Sequence, residues 1–211
     1  APDVLMGNEG DDWIEGGEGF DGLSGGNSEL FFNSIVDGHD ILNGQGNDTD
    51  YDGENGDDIM VQGAGIQRSN GMDGFDWAIH KGDAVGADSD LGIRVFDARQ
   101  ALILRDRFDS VEGLSGWKHD DVLTGANRLL LGEGFVDSLT QDGVNRIDGM
   151  REFLDLAPQG ATPGTAVVFE SDINTAGEII LGGAGSDVIA GNLGDDILDG
   201  DAWLNVRLSV H

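Results

Sequence analysis

The sequence predicts an all-β fold, mostly a right-handed parallel β-roll, carrying one inserted segment of strands and a helix. Three observations predict it: glycines recur on a nine-residue period, an aspartate stands two residues ahead of a large apolar residue in most copies, and acids far outnumber bases. The 211 residues hold 41 acidic and 11 basic side chains, a formal charge of −30, with 36 glycines and no cysteine. A chain of this length can bury a core in one large domain or two small ones. So lopsided a charge opposes compaction through self-repulsion, so something must neutralise the carboxylates if the chain is to fold. Bound metal or a polycationic partner would do so. Nucleic acid is disfavoured as a partner, because phosphate binding needs basic patches. Disulfides and thiol chemistry are excluded. No apolar run approaches ~20 residues, so no transmembrane segment is expected. The opening APDVLMG lacks the basic and apolar regions of a signal peptide, which points to a fragment or to an export signal outside this stretch.

The repeat begins at Gly7. GNEGDDWIE (7–15) is followed by GGEGFDGLS (16–24), and GGN (25–27) opens a third copy that SELFFNSIVD interrupts and GHDILN (38–43) resumes. Copies restart at 44, 53, 62 and 71, through GENGDDIMV (53–61), QGAGIQRSN (62–70) and GMDGFDWAI (71–79). The pattern returns as GGAGSDVIA (182–190) and GNLGDDILD (191–199), with a truncated GDAWLNVR after it; GWKHDDVLT (116–124) is a weaker copy. The shared template is G-G-x-G-x-D-x-U-x, with U large and apolar. Glycine at the first, second and fourth positions permits positive φ and hence a tight turn with converging carbonyls. The aspartate adds a hard oxygen, and calcium takes 6–8 such oxygens, mixing carbonyls with carboxylates. The x-U-x end reads as a three-residue strand with Ile14, Leu23, Leu42, Met60, Ile189 or Leu198 pointing inward. Several calcium ions are therefore expected between stacked turns. Since consecutive turns fall on opposite sides, each ion should join turns two apart. A flexible Gly/Asp linker would not hold its aspartates at this fixed offset.

The candidate metal ligands follow from the template: Asn8, Gly10 and Asp12; Gly17, Gly19 and Asp21; Asp40; Gly56 and Asp58; Asp76; Asp121; Gly183, Gly185 and Asp187; Asn192, Gly194 and Asp196; and Asp201. DTDYDG (48–53) matches the opening of an EF-hand loop, but Ile59 stands where the bidentate glutamate belongs. Asp40 to Asp48 spans eight residues, so this stretch is expected to be a distorted roll turn, one residue out of phase, in which Asp48, Asp50 and Asp52 still bind calcium. A solvated acidic loop is the plainer possibility.

The rest of the chain divides by charge. Residues 1–82, the expected N-terminal roll, hold 18 acids and 2 bases, whereas 83–124 hold 9 and 5 and should contain strands and a partial repeat. Residues 125–178 form the expected insert and 179–211 the C-terminal roll turns, all in one elongated body. LGIRVFD (91–97) and ALILRDRFD (101–109) look like a hairpin turning at 98–100. A helix is expected over 143–156, with Val144, Ile147, Met150, Phe153 and Leu154 on one face, Asp142 as its cap and Pro158 after its end. Gly149 inside it costs ~1 kcal/mol. TAVVFE (165–170) and EIILGG (178–183) read as strands, and 157–164 as a turn-rich connector.

Catalytic motifs are weak. GLSGG (22–26) has the spacing of a nucleophile elbow, but Ser24 is merely the ninth residue of a repeat. GEGFDG (17–22) lacks a βαβ unit around it. His39, His80, His119 and His211 are scattered, which leaves a zinc site without support and no nucleophile with an expected partner. Trp13, Trp77, Trp117 and Trp203 could form a sugar platform, although packing against roll edges or the insert is the simpler role.

The nonapeptides of 7–79 and 182–205 resemble those of RTX proteins, secreted bacterial toxins, proteases, lipases and adhesins. GDDWIEGGEGFDGLSGGNSELFFNS, GQGNDTDYDGENGDDIMVQGAGIQRSNGMDGFDWAIHKGD and GDAWLNVR are similar to the RTX region of very large bacterial proteins that also carry animal-type haem peroxidase domains. That resemblance implies export in an unfolded state through a type I system and calcium-driven folding outside the cell, beside other domains of the parent protein. It does not make this piece the peroxidase. The chain departs from the pattern where Asn8, Glu54, Met72 and Asn192 replace the second glycine, where Gln67 replaces an aspartate, and where residues 28–37 interrupt a turn. Two functions fit: a non-catalytic calcium-binding structural module, or an adhesin-like module that grips a surface or glycan through the insert or the 28–37 loop.

Overall fold

The computed structural model describes residues 1–32, 34, 36–46, 48–96, 104–126, 137–154, 167–169 and 177–207. Each repeat contributes a turn and a short strand, and successive strands alternate between facing sheets. β1 (Val4–Met6), β3 (Asp21–Ser24), β5 (Thr49–Asn55), β7 (Arg68–Asp73) and β10 (Arg107–Asp109) form one parallel sheet in that order. β2 (Trp13–Glu15), β4 (Ile41–Asn43), β6 (Ile59–Val61), β8 (Trp77–Ile79), β11 (Gly113–Ser115), β15 (Ile179–Leu181) and β17 (Ile197–Asp199) form the second. β9 (Asp88–Asp90), β12 (Val122–Thr124) and β16 (Val188–Ala190) form a third, also parallel. The architecture is the parallel β-roll that the nine-residue period implies.

Register places the U residues in rows. Ile14, Leu42, Met60, Ala78, Leu114, Ile180 and Leu198 align across the seven-stranded sheet. Leu5, Leu23, Tyr51, Ser69 and Phe108 align across the five-stranded one, and Ser89, Leu123 and Ile189 across the third. Most of these side chains meet in one thin core. Leu198, on the edge strand β17, is 47% exposed, while Leu42, Met60 and Leu114 further in are fully buried.

A second core lies outside the roll. In the seven-stranded sheet the residue before U is large and apolar on every strand but β11, which has Gly113, and Trp13, Ile41, Ile59, Trp77, Ile179 and Ile197 line up on the outer face. In the five-stranded sheet the same position holds Val4, Gly22, Asp50, Arg68 and Arg107. Only the former face therefore needs a cover. It is supplied by the antiparallel pair β13 (Leu139–Thr140) and β14 (Val167–Phe169), by α1 (Gln141–Arg146) and α2 (Met150–Phe153), and by Leu204 and Val206 of the C-terminal tail. Val144 and Met150 are buried there, with Ile147, Phe153 and Leu154 packed against them, which is the face expected from their spacing.

Three local expectations are corrected. The helix is broken: Ile147 is extended (φ −103°, ψ 109°) and Gly149 takes φ 89°, so α1 and α2 are separate short helices. The cap is Thr140, whose side chain accepts from Gly143 N at 3.2 Å, with Asp142 inside the first turn; residues 155–156 and Pro158 lie outside the described residues. Among the described residues the two runs form no hairpin ladder, although Phe108 N donates to Ile93 O at 2.8 Å. Residues 91–96 are turns, β10 pairs in parallel with β7, and 97–103 lie outside the described residues. The short U-type run RFD finds a vacant parallel edge, which outweighs pairing with its sequence neighbour. Finally, the large insert sits within a single turn: Gly125 and Ala126 stack with Gly177 and Glu178 as one roll turn, joined by Ala126 N donating to Glu178 Oε1 at 3.1 Å.

Stacking is close enough to be tested at two glycines. Gly74 has φ 138°, and a Cβ there would lie 2.5 Å from Gly56 C. Gly10 has φ 99° with nothing within 4 Å of a would-be Cβ. Gly10→Ala should cost about 1 kcal/mol, the left-handed term alone, whereas Gly74→Ala should cost at least twice that because backbone must shift. Denaturant unfolding at saturating calcium measures both, and equal losses would contradict this stacking.

Candidate metal centres

The residue before each x-U-x strand, position six of the template, faces its equivalent in the next turn of the same stack. Under the seven-stranded sheet Asp12 N donates to Asp40 Oδ1 (2.8 Å), Asp40 N to Asp58 Oδ1 (2.7 Å), Asp58 N to Asp76 Oδ1 (2.8 Å), Asp76 N to Glu112 Oε2 (3.0 Å) and Glu178 N to Asp196 Oδ1 (3.0 Å). On the other side Asp3 N donates to Asp21 Oδ1 (2.9 Å), Ala87 N to Asp121 Oδ1 (2.7 Å) and Asp121 N to Asp187 Oδ1 (2.8 Å). One oxygen of each acceptor is thus tied to the ladder. The second oxygens of Asp21, Asp58 and Asp76, and Oδ2 of Asp12 at the head of its stack, are buried without a hydrogen-bond partner. Buried polar atoms rarely stay unpaired, so four in equivalent positions point to a ligand.

Those oxygens are aimed at glycines. A Cβ on Gly53 would lie 2.6 Å from Asp58 Oδ2 and 2.8 Å from Gly71 O; on Gly182, 2.6 Å from Asp187 Oδ2 and 2.8 Å from Gly200 O; on Gly7, 2.6 Å from Asp12 Oδ2 and 2.5 Å from Gly25 O. The same pairing of a position-six carboxylate with a carbonyl from the next turn in the stack recurs at Gly25, Gly71, Gly116 and Gly125. Seven such cradles exist among the described residues, each joining turns that the sheet alternation places on one side. Any side chain at the first position would fill the cradle. No three His, Asp or Glu side chains converge among the described residues. Each cradle sets a carboxylate oxygen beside a carbonyl oxygen, hard donors suited to an ion such as calcium and unsuited to zinc.

Departures from the template do not unmake the turns. Asn8, Glu54, Met72 and Asn192 hold φ of 75°, 77°, 72° and 70°, the left-handed backbone otherwise supplied by glycine at that position. Gly10, Gly17, Gly19, Gly56, Gly183, Gly185 and Gly194 also have positive φ, as the template requires. Asp201 lies exposed beyond the last strand, its N–H donating to Asp199 Oδ1 at 2.8 Å.

The expected phase slip at 44–52 does not occur. Thr49 pairs with Asp21 and Tyr51 with Leu23, so Thr49 holds position six and Tyr51 is the U residue. The fully buried tyrosine sets this register, its hydroxyl donating to Val61 O at 2.6 Å and accepting from Gly44 N at 3.1 Å. Asp48, Asp50 and Asp52 consequently point elsewhere. Asp48 is exposed and accepts from Ile66 N at 2.9 Å; Asp50 is ion-paired with Arg68; Asp52 accepts from Phe31 N and from Asn70 Nδ2. Conversely, Glu112 and Glu178 stand at position six and were not anticipated. An acid two residues before Leu114 and Ile180 was the available signal, masked because the Glu112 turn is cut to residues 110–112, the Glu178 turn is interrupted, and the acid is glutamate.

One constellation resembles a hydrolase relay. Ser89 Oγ lies 2.8 Å from His80 Nε2, and His80 Nδ1 lies 2.9 Å from Asp83 Oδ2. The expectation that no nucleophile has a partner is therefore corrected. Ser89 is 1% exposed and His80 3%, however, and Ser89 occupies a U position beside Leu123. A substrate cannot reach it; the contacts pair polar groups where serine replaces an apolar residue. Ser24 donates to Glu54 Oε1 at 2.7 Å instead. Trp13 and Trp77 belong to the outer core, Trp117 lies 3.9 Å from the Lys118 ammonium, and Trp203 is half exposed.

The family model of the RTX calcium-binding nonapeptide repeat (4 copies) matches residues 2–28 and 173–202. No curated protein and no solved structure matches the chain. RTX nonapeptide repeats bind calcium, several ions per domain, and are structural elements; calcium is thus the cofactor of these turns.

Two outcomes follow from the stacks. Asp12 is laddered to Asp40 in one stack and Asp121 to Asp187 in the other, so Asp12→Ala and Asp121→Ala should each lose a different calcium, with roughly independent losses of stability. Loss of the same single ion in both, counted by metal analysis, would refute the two-stack geometry. The second outcome concerns acid. Burial raises Asp40 from 3.8 to about 6 and Asp52 to about 7, and lifts Asp58 and Asp76 well above the usual range, with neighbouring carboxylates adding to the shift. Folded values above the unfolded one mean that the metal-free fold binds extra protons. Its stability is fully present below the unfolded value and is lost as pH rises through about 6 to 7. Circular dichroism in chelator should therefore show more β-structure at about pH 5 than at about pH 7.5; a flat or opposite trend would count against these environments.

Proposed function

We propose that this chain is a calcium-dependent structural module of a larger secreted protein, folding when calcium enters its stacked turns and supporting neighbouring domains. The observation that carries this is the set of buried, unpartnered carboxylate oxygens aimed at glycine cradles together with carbonyls from the next turn. Without cations, like charges at 4 Å repel by ~1 kcal/mol even in bulk water, and more as the site is desolvated. Seven doubly charged ions would offset fourteen of the thirty net negative charges, taking the seven cradles and the formal charge together. Because only assembled turns present the cradle, binding free energy is folding free energy.

Export is supported by the same physics. Extracellular modules bind calcium at ~10⁻⁴–10⁻³ M, far above free cytosolic levels, so the chain would stay unfolded and exportable inside a cell. RTX repeats are typical of secreted bacterial proteins, and no described helix is long and apolar enough to cross a membrane. From the resemblance to peroxidase-linked RTX regions we add to this proposal type I export and a haem peroxidase domain elsewhere in the parent protein. The module itself does no chemistry. An adhesin-like role draws less support: Phe31 stands edge-on to Phe96 at 5.7 Å and beneath Arg68 at 5.1 Å, leaving Phe32 as the exposed aromatic of that loop.

The test is circular dichroism and small-angle scattering in chelator, then titration with calcium and, separately, magnesium. Calcium should bring strand signal and compaction together in a cooperative step, and magnesium at equal concentration should not. Full β-signal and an unchanged radius in chelator would overturn the proposal.

A further inference from the structure

Glu54 stands at position two, where the template has glycine, and it is completely buried. Its φ of 77° turns the side chain back along the stack, so that a Cβ on Gly26 would lie 2.8 Å from Glu54 Oε2. The adjacent Gly25 is the cradle shared by Asp40 Oδ2 and Gly53 O. Two carboxylate oxygens from different turns therefore stand over successive glycines of one turn, where each other cradle has only its position-six carboxylate. The two oxygens of Glu54 differ. Oε1 accepts from Ser24 Oγ (2.7 Å), Ser28 Oγ (2.9 Å) and Ser28 N (3.1 Å), the last two from the start of the inserted loop. Oε2 has no hydrogen-bond partner. The nearby base Arg68 is engaged by Asp50, and among the described residues no base pairs with Glu54. A buried carboxylate with one saturated and one vacant oxygen lacks a positive charge on its vacant side.

We propose that Glu54 is a second carboxylate ligand of the calcium held between turns 25–40 and 53–58, and that it couples this ion to docking of residues 28–32. This rests on the reading of the glycine cradles as calcium sites. Added ligand charge tightens a calcium site, so this one fills first. The ion fixes Oε2, which orients Oε1 for Ser28, while the neighbouring Asp52 holds Phe31 N. If Glu54 were only a neutral hydrogen-bonding staple, glutamine would replace it without consequence.

The experiment uses the full chain with Phe32→Cys, an exposed site in a protein with no other cysteine, labelled with an environment-sensitive dye. Calcium is titrated by calorimetry and by the dye in this parent, in Glu54→Gln, and in Glu152→Gln, an exposed acid of α2 outside the roll turns. Glu54→Gln should move the tightest binding phase about tenfold or more toward higher calcium, and the dye response with it. Glu152→Gln should leave both unmoved. Identical titrations for Glu54→Gln and parent overturn the ligand role, and weakened calcium with an unmoved dye response overturns the coupling. A parent that binds no calcium instead defeats the reading of the cradles. Should Glu54→Gln fail to fold at saturating calcium, Glu54→Asp, which keeps the charge, is expected to fold with an intermediate midpoint; failure of both overturns the proposal.

Discussion

The position-six carboxylate divides its two oxygens between the backbone of the neighbouring turn and the first glycine of its own. The first contact sets the spacing between turns, and the second leaves an oxygen facing a space that only a missing Cβ keeps open. Hydrogen bonding therefore stacks the carboxylates that electrostatics would drive apart. A hard cation resolves the conflict by drawing the free oxygens and the next turn's carbonyls onto one charge. The left-handed backbone at Asn8, Glu54, Met72 and Asn192 is held by this stacking, which explains why the turn survives without its usual glycine.

Packing is the weaker partner. The inner core is a single file of U residues, and polar substitutions within it, Ser69 against Gln62 and Ser89 against His80, are accommodated by pairing. Much of the remaining apolar burial comes from outside the roll, where Trp77, Ile79 and Ile179 receive Val144, Met150 and Leu204. The insert thus covers the outer face of the seven-stranded sheet, where most strands carry a large apolar residue before U. That both interruptions, residues 28–37 and 127–176, open within a turn follows from the same division of labour: turns tolerate a detour as long as their glycine and their position-six acid return to the stack.

Regular elements were readable because each repeat encodes its own turn and strand. The nine-residue period specified the parallel roll, the inward U residues and the alternation of sides, and spacing alone placed Asp12, Asp21, Asp58, Asp76, Asp187 and Asp196 at position six. Failures occurred where a local pattern competed with an offer from elsewhere. Asp48, Asp50 and Asp52 imitate a calcium loop, yet burying Tyr51 in register with Leu23 decides the phase. The run 107–109 imitates a hairpin strand, yet the free edge of β7 takes it in parallel.

What the sequence by itself determined is therefore the repeating unit: its turn, its strand, its acid, and a charge that demands cations. Which acids share a cradle was decided only by tertiary structure. Glu178 completes a turn begun at Gly125, and Glu54 reaches back over Gly26, because stacking brings together residues that the chain separates by an insertion or by a whole coil of the roll. A period records what recurs along the chain. It carries no information about which turn lies next across the stack once that recurrence is broken.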